Sequence, residues 1–160
     1  MTRIGVISDT HDRLPTLRSA LDRFAALGLK TVLHAGDIVA PFAARPLAEY
    51  PGTVHVVYGN NDGERRGLRE ILPRIQDGPL LLDLEGRRVL LHHALEWCRA
   101  ADIAAANVIV TGHTHEAGLA LEDGKLFVNS GECCGWVTGR ATAAIVDLAA
   151  LTAELIEIPT

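Results

Sequence analysis

Cysteine is scarce. The 160 residues hold three, and two of them, Cys133 and Cys134, are adjacent. No disulfide framework can be built from that set, so a reducing, cytoplasmic setting is expected. Long apolar runs are missing too. Arg, Asp, Glu or Gly interrupts each one before the ~20 residues that a membrane span needs. The apolar stretch that follows Arg3 is too short for the core of a signal peptide. Glycine and proline, at 15 and 7, are too few and too scattered for a low-complexity chain. Basic residues are outnumbered: 15 Lys and Arg face 20 Asp and Glu, a net charge of -5. That balance argues against a general nucleic-acid coat or a membrane-surface binder, and leaves room for a local positive site. What is present is apolar content of 48% in a chain of one-domain length, residues 1–160, enough for a sizeable core.

Short apolar runs alternate with longer helical patterns. A first strand is expected over residues 3–8, buried on both faces because Ile4, Val6 and Ile7 do not alternate cleanly. Leu14, Leu17, Leu21, Phe24 and Ala25 follow at helical spacing, with Pro15 in the first turn and Gly28 at the C-cap. Strands over 31–35 and 54–58 enclose a helix over 42–50, and Pro73 stops a short helix over 68–72. This β-α-β-α-β half favours a parallel sheet. The second half predicts strands over 80–84 and 87–92 around Glu85-Gly86, a helix over 95–106 and a strand over 108–111. Strands over 119–122, 126–129, 141–148 and 154–158 complete it, with Glu122-Asp123-Gly124-Lys125 as the strongest hairpin turn. There is no internal repeat or linker, so the chain reads as one α/β domain with an antiparallel-rich end.

Its polar clusters all follow expected strands: Asp9-Thr10-His11, Gly36-Asp37, Gly59-Asn60-Asn61-Asp62, His92-His93 and Gly112-His113-Thr114-His115. Strand ends of an open α/β sheet converge on one crevice. In extended backbone, residues i and i+2 face the same side, which aligns Asp9 with His11 and His113 with His115. Glycines beside Asp37, Asn60 and His113 allow tight turns that aim the next side chain outward. Imidazole with carboxylate and amide oxygens suits Mn²⁺, Fe²⁺, Zn²⁺ or Ni²⁺ rather than a soft thiolate site. Asp9, His11, Asp37, Asn60, one of His92 and His93, His113 and His115 make seven candidate ligands, too many for one tetrahedral ion and suited to two. Two divalent cations, two carboxylates and a bridging hydroxide leave a charge of about +1, a match for an anion such as a phosphodiester. Taken singly, Asp9 and Asp37 are ordinary turn or N-cap residues, and Asn60-Asn61-Asp62-Gly63 is an ordinary turn. His34 and His55, inside strands without partners, read as structural. The combination of five clusters at strand ends is what points to metal chemistry.

In order along the chain, Asp9-x-His11, Gly36-Asp37, Gly59-Asn60-x-Asp62, His93 and Gly112-His113-x-His115 resemble the calcineurin-like metallophosphoesterase superfamily. Ser8-Asp9-Thr10-His11, His34-Ala35-Gly36-Asp37, Gly59-Asn60-Asn61-Asp62-Gly63-Glu64-Arg65 and Asn129-Ser130-Gly131-Glu132-Cys133-Cys134-Gly135 look like its small prokaryotic, YfcE-like phosphodiesterase branch. The resemblance covers essentially the whole chain. It implies a four-layer α-β-β-α sandwich of two mixed sheets with helices outside, and two divalent ions, with Mn²⁺ first among the candidates. By that resemblance Asp9, His11 and His115 hold one ion and Asn60, His93 and His113 the other, with Asp37 bridging and a bridging hydroxide attacking phosphorus in line.

Three positions depart from the superfamily pattern. Asn61 stands where many members have a histidine, and it cannot transfer a proton in that way. His93-Ala94-Leu95 replaces His-Gly-His, so a second imidazole is lacking unless His92 serves. Asn129-Ser130-Gly131 replaces Asn-Pro-Gly. Catalysis resting on metal and electrostatics favours diesters with good leaving groups. Arg65 and Arg140 offer guanidinium forks that match phosphate, or equally make surface ion pairs, and Cys133-Cys134 reads as a loop packing against Trp136. The expected partner is a small phosphodiester; Trp97, Leu119 and Trp136 line either a homo-oligomer face or the core. A non-catalytic scaffold resembling the phosphoesterase-like subunit of retromer is the alternative, and the complete ligand set favours the enzyme. A nucleotide-binding fold would need a glycine-rich loop where Ser8-Asp9-Thr10-His11-Asp12 stands.

Overall fold

The computed structural model describes residues 2–160. The first half of the chain lays down β1 (Arg3–Ile7), α1 (Leu14–Ala26), β2 (Thr31–His34), α2 (Arg45–Ala48), β3 (Thr53–Val56) and α3 (Arg65–Ile71). The second half adds β4 (Leu80–Leu84), β5 (Arg87–Leu91), α4 (Ala100–Ala105), β6 (Val108–Thr111), β7 (Ala117–Glu122), β8 (Lys125–Ser130), β9 (Thr142–Asp147) and β10 (Thr152–Glu157). They form two five-stranded mixed sheets, ordered β10-β9-β1-β2-β3 and β4-β5-β6-β8-β7. β1, β2 and β3 run parallel, as do β5, β6 and β8, while β9, β10, β4 and β7 pair antiparallel.

Strand periodicity sorts the core into layers. On β1, Ile4 and Val6 face the second sheet with Leu33, Val89, Leu91, Val108 and Val110. Ile7 faces the other way, into a cluster with Leu17, Leu21 and Phe24 of α1, Leu47 of α2 and Leu68 of α3. Leu90 and Ile109 point out of the second sheet, where Ile103 of α4 covers them. The result is helices, sheet, sheet, helix. This is the expected four-layer sandwich, and β1 is buried on both faces because it lies inside two layers.

Two helices differ from their sequence patterns. Residues 42–50 do not form one helix: Pro41–Ala44 is a 3₁₀ turn and α2 is a separate short piece with Pro46 in its first turn. Pro46 has no N–H to give to a carbonyl in the preceding turn, so a continuous helix cannot pass through it. Residues 95–106 split as well, into a 3₁₀ turn at Leu95–Trp97 and α4, with Cys98 extended between them at φ −74° and ψ 134°. No proline or glycine interrupts this segment. Trp97 instead packs against the rings of His92, His93 and His113, and that tertiary contact overrides helix propensity. Trp97, Leu119 and Trp136 are 44%, 37% and 62% exposed, so none belongs to the core.

Candidate metal centre

β1, β2, β3, β5 and β6 all empty at one edge, and the polar clusters lie just beyond their ends. The route differs from extended spacing. Asp9, His11, Asp37, His113 and His115 all have positive φ, at 51°, 38°, 61°, 71° and 64°. The Asp9–His11 and His113–His115 pairs therefore do not share a face of extended strand; left-handed turns swing them inward. Such backbone is uncommon for non-glycine residues and is held by its surroundings. Asp62 does much of the holding. Its carboxylate accepts from the backbone N–H groups of Asp37, Ile38, Val39 and Gly59 at 2.7–2.9 Å. Gly59 and Gly112 are needed for close approach rather than for turning: a Cβ would lie 2.1 Å from Asp37 Oδ1 at the first and 2.5 Å from Asp9 Oδ2 at the second.

Seven polar side chains meet there. His11 Nε2 is 3.7 Å from Asp9 Oδ1 and 3.5 Å from Asp37 Oδ2. His115 Nε2 is 3.5 Å from Asp9 Oδ1, and His93 Nε2 is 3.6 Å from Asp37 Oδ2. Asn60 Oδ1 is 2.8 Å from His93 Nε2 and 3.0 Å from His113 Nδ1. Asp9, Asp37 and His93 are essentially without solvent exposure. Of the adjacent histidines, His93 turns its Nε2 to Asn60 and Asp37. His92 instead accepts the His93 backbone N–H on Nδ1 at 2.9 Å.

Proton bookkeeping tests whether a cation fits. A neutral imidazole carries one N–H. His93 Nδ1 lies 2.7 Å from the Ala35 carbonyl, an acceptor that needs that proton. Its Nε2 then presents a lone pair to Asn60 Oδ1 and Asp37 Oδ2, which are acceptors themselves. His115 repeats the pattern: Nδ1 donates to the Glu132 carboxylate at 2.7 Å, leaving the Nε2 lone pair toward Asp9. Asp9 Oδ1 and His11 Nε2 are buried with no hydrogen-bond partner at all. These atoms converge at 3.5–3.7 Å, too far apart for hydrogen bonds. The gaps are close to the roughly 3.4 Å between two ligands each ~2.1 Å from one ion in tetrahedral geometry. The residues fit divalent cations. Without one, protons take part of that role. His11 is pushed above its ordinary pKa chiefly by Asp9, against its own burial. Burial pushes Asp9 up, yet His11, Ser8 and His93 outweigh it and hold the carboxyl below its usual range.

Two residues given no separate role at the level of sequence act here: Asp62, already described, and Glu132. Glu132 is fully buried and accepts from the Val137 and Thr138 N–H groups, the Thr138 hydroxyl and the Cys134 thiol besides His115. Burial raises its pKa, but these donors win and bring it down to about 2. His115, Glu132 and Cys134 also lie within metal-ligand range of one another, but those donors already occupy the carboxylate lone pairs. Neither role was visible in local pattern, because each side chain is aimed by donors elsewhere in the chain.

The remaining candidates sit at the margin. Asn61 donates its backbone N–H to Asp37 Oδ1 at 2.8 Å and its amide to Oδ2 at 2.7 Å, fixing that carboxylate from outside. Arg65 lies over the Tyr58 ring and pairs with Asp77. Arg140 pairs with Glu157 and lines a cavity of about 490 Å³ that His115 also borders. His34, buried and pushed down to about 4 chiefly by desolvation, bonds the Thr10 hydroxyl and the Gly36 N–H, a structural post between two turns. The Cys133 thiol is buried and pushed up to about 12 by desolvation, out of range for redox chemistry. Asn129 ties the Gly112–Thr114 turn to β8.

Residues 2–150 match the family model described as the calcineurin-like phosphoesterase superfamily domain. The chain belongs to that superfamily. Among curated relatives, the phosphodiesterase MJ0936 of Methanocaldococcus jannaschii is 35% identical over 153 residues, covering 91% of this chain and 92% of its own. The solved structure of an archaeal phosphodiesterase superposes with a TM-score of 0.89 at 34% identity, covering 98% of this chain and 99% of that one. YfcE, a phosphoesterase from E. coli, superposes at 0.71 with 20% identity, covering 98% of this chain and all of that one. The zinc-complexed Vps29 of Entamoeba histolytica does so at 0.68 with 19% identity and 98% of each chain; these last two share the fold. The phosphodiesterase relatives point to a hydrolase acting on phosphoester bonds. Among the described residues, no helix is long and apolar enough to cross a membrane.

Proposed function

We infer that this superfamily member hydrolyses phosphodiesters at a two-metal centre. Asp9, His11 and His115 would hold one ion, Asn60, His93 and His113 the other, and Asp37 would serve both. The observation that carries this is the convergence of polar atoms left unsatisfied: Asp9 Oδ1 and His11 Nε2 are buried and unpartnered, with Asp37, His93 and His115 turned toward the same space. Leaving such groups unpaired costs roughly 1–3 kcal/mol each, a cost that bound cations would remove. Divalent cations bound there supply Lewis acidity and acidify water for in-line displacement at phosphorus.

The chain's own residues set what that chemistry can do. Glu132 and the Ala35 carbonyl hold His115 and His93 in the tautomers that point Nε2 inward. Asn61 clamps both oxygens of Asp37 and has no proton to transfer. His92 spends its Nδ1 on a backbone N–H, and burial pushes its pKa down, so its protonated form, the one that could give up a proton, is disfavoured. A leaving oxygen therefore departs without a side-chain proton, which favours diesters with stabilised leaving groups over unactivated monoesters.

Metal-stripped protein titrated with Mn²⁺ tests the reading, with bis(p-nitrophenyl) phosphate beside p-nitrophenyl phosphate. Mn²⁺-dependent cleavage is expected to be faster for the diester. Asp37→Ala should lower it more than about a hundredfold, the scale of losing one group that stabilises the transition state. Metal-independent cleavage, or a variant as active as the wild type, would overturn it.

A further inference from the structure

The chain's two tryptophans, Trp97 and Trp136, both lie outside the core and both stand at the metal centre. They keep 44% and 62% of their surface exposed, although an aromatic ring is among the largest apolar groups a fold can bury. The Trp97 ring centroid is 5.6 Å from that of His93 and 5.6 Å from that of His113, tilted 48° and 40° against them. Trp136 donates its indole N–H to the His11 carbonyl at 3.3 Å, and the Arg13 guanidinium lies 4.7 Å from its centroid. His93 and His113 belong to one ligand triad and His11 to the other, so an exposed indole stands beside each half of the centre. The segment around Trp97 gives up its expected helix where the indole meets those imidazoles. Asn61, which follows Asn60, and Ala94-Leu95, which follow His93, cannot move a proton.

We propose that these indoles bind a planar aromatic group esterified to the phosphate, so that the substrates are diesters bearing a nucleobase or a simple aryl ring. The proposal rests on the phosphodiesterase reading above. A phosphate held by the ligand cluster places its ester substituents at the rim, where Trp97 and Trp136 offer flat apolar faces. Every nucleobase has a π-face that such a surface can stack, without hydrogen-bond readout of the base. A small alkyl ester gains nothing comparable there.

The test compares kcat/KM for two esters that release the same nitrophenolate: thymidine 5′-(p-nitrophenyl phosphate) and methyl p-nitrophenyl phosphate. Phenyl p-nitrophenyl phosphate distinguishes a simple aryl preference from a nucleoside preference. Mn²⁺-loaded wild type should favour the planar esters. In Trp97→Ala, Trp136→Ala or both, the ratio of planar to methyl ester should fall about tenfold, the effect of losing one base–aromatic stack. Trp97→Phe and Trp136→Phe should retain most of it. Each Phe variant also leaves a single indole. Its emission, in Zn²⁺-loaded protein, should be quenched by thymidine 5′-phosphate and not by ribose 5-phosphate. A planar-to-methyl ratio of one in the wild type, or one unchanged in both Ala variants, overturns the aromatic site. Metal-dependent cleavage of the methyl ester would then show the phosphodiesterase reading still standing. If no ester is cleaved with any metal, the phosphodiesterase reading fails, and quenching by the nucleotide alone decides for or against the indoles.

Discussion

His115 can turn a lone pair toward Asp9 only while its Nδ1 carries the proton, and Glu132 keeps it there. A glutamine cannot replace that carboxylate. Its head has a donor side, which would face either the His115 N–H or the N–H groups of Val137 and Thr138, and donor against donor is repulsive. Glu132→Gln should weaken metal binding by about 10–100-fold, the usual cost of losing an outer-sphere partner. A competition titration against a chromophoric chelator checks this, with circular dichroism showing the fold retained. Unchanged affinity would mean that Glu132 serves only the loop at residues 137–138. At this scale the candidate ligand types were legible, because Asp, His and Asn at strand ends point to metal chemistry. Their orientations were not. Nothing in Asp-x-His spacing reports a positive φ, and the residues that impose it, such as Asp62, act through backbone groups remote in sequence.

Elements meet the site through glycine, in two different ways. At Gly5, in the middle of β1, an added Cβ would lie 2.6 Å from the Phe24 ring of α1. Gly5→Ala therefore overpacks the helix–sheet layer and should cost about 1–3 kcal/mol, read by urea unfolding, with metal affinity unchanged. At Gly59 the same methyl would lie 2.1 Å from Asp37 Oδ1. Gly59→Ala should displace the carboxylate and lower metal affinity more than it lowers stability in the metal-free protein. Equal effects of the two substitutions on metal binding would contradict this division. Most strands and α1 could be read from hydrophobic period, since they are half-buried or buried in the way their patterns demand. The two helices that broke did so for causes of different visibility. Pro46 stood in the sequence, whereas the hold of three imidazoles on Trp97 exists only in three dimensions.

For the whole molecule, the apolar clusters between the sheets and under α1–α3 involve none of the seven candidate ligands. The metal-free protein should therefore be folded, and metal should add to stability by mass action. At a Mn²⁺ concentration about 100 times Kd the gain is ~2.7 kcal/mol, which for a chain of this length raises Tm on the order of 5–10 °C. Differential scanning with and without chelator measures it, and a chain unfolded by chelator would show that the centre is structural. The alternation of elements sufficed to show an α/β domain with an antiparallel-rich end. That its strands form two stacked sheets followed from resemblance, because stacking buries together residues far apart in the chain, such as Val6 and Val110 in one cluster, which period does not encode.

The account turns on two ions shared by seven side chains, and their number can be counted directly. Calorimetric titration of metal-stripped protein with Mn²⁺ should give two equivalents for the wild type, with both events weakened in Asp37→Ala because each ion loses a ligand. One equivalent, or none, in the wild type would contradict it.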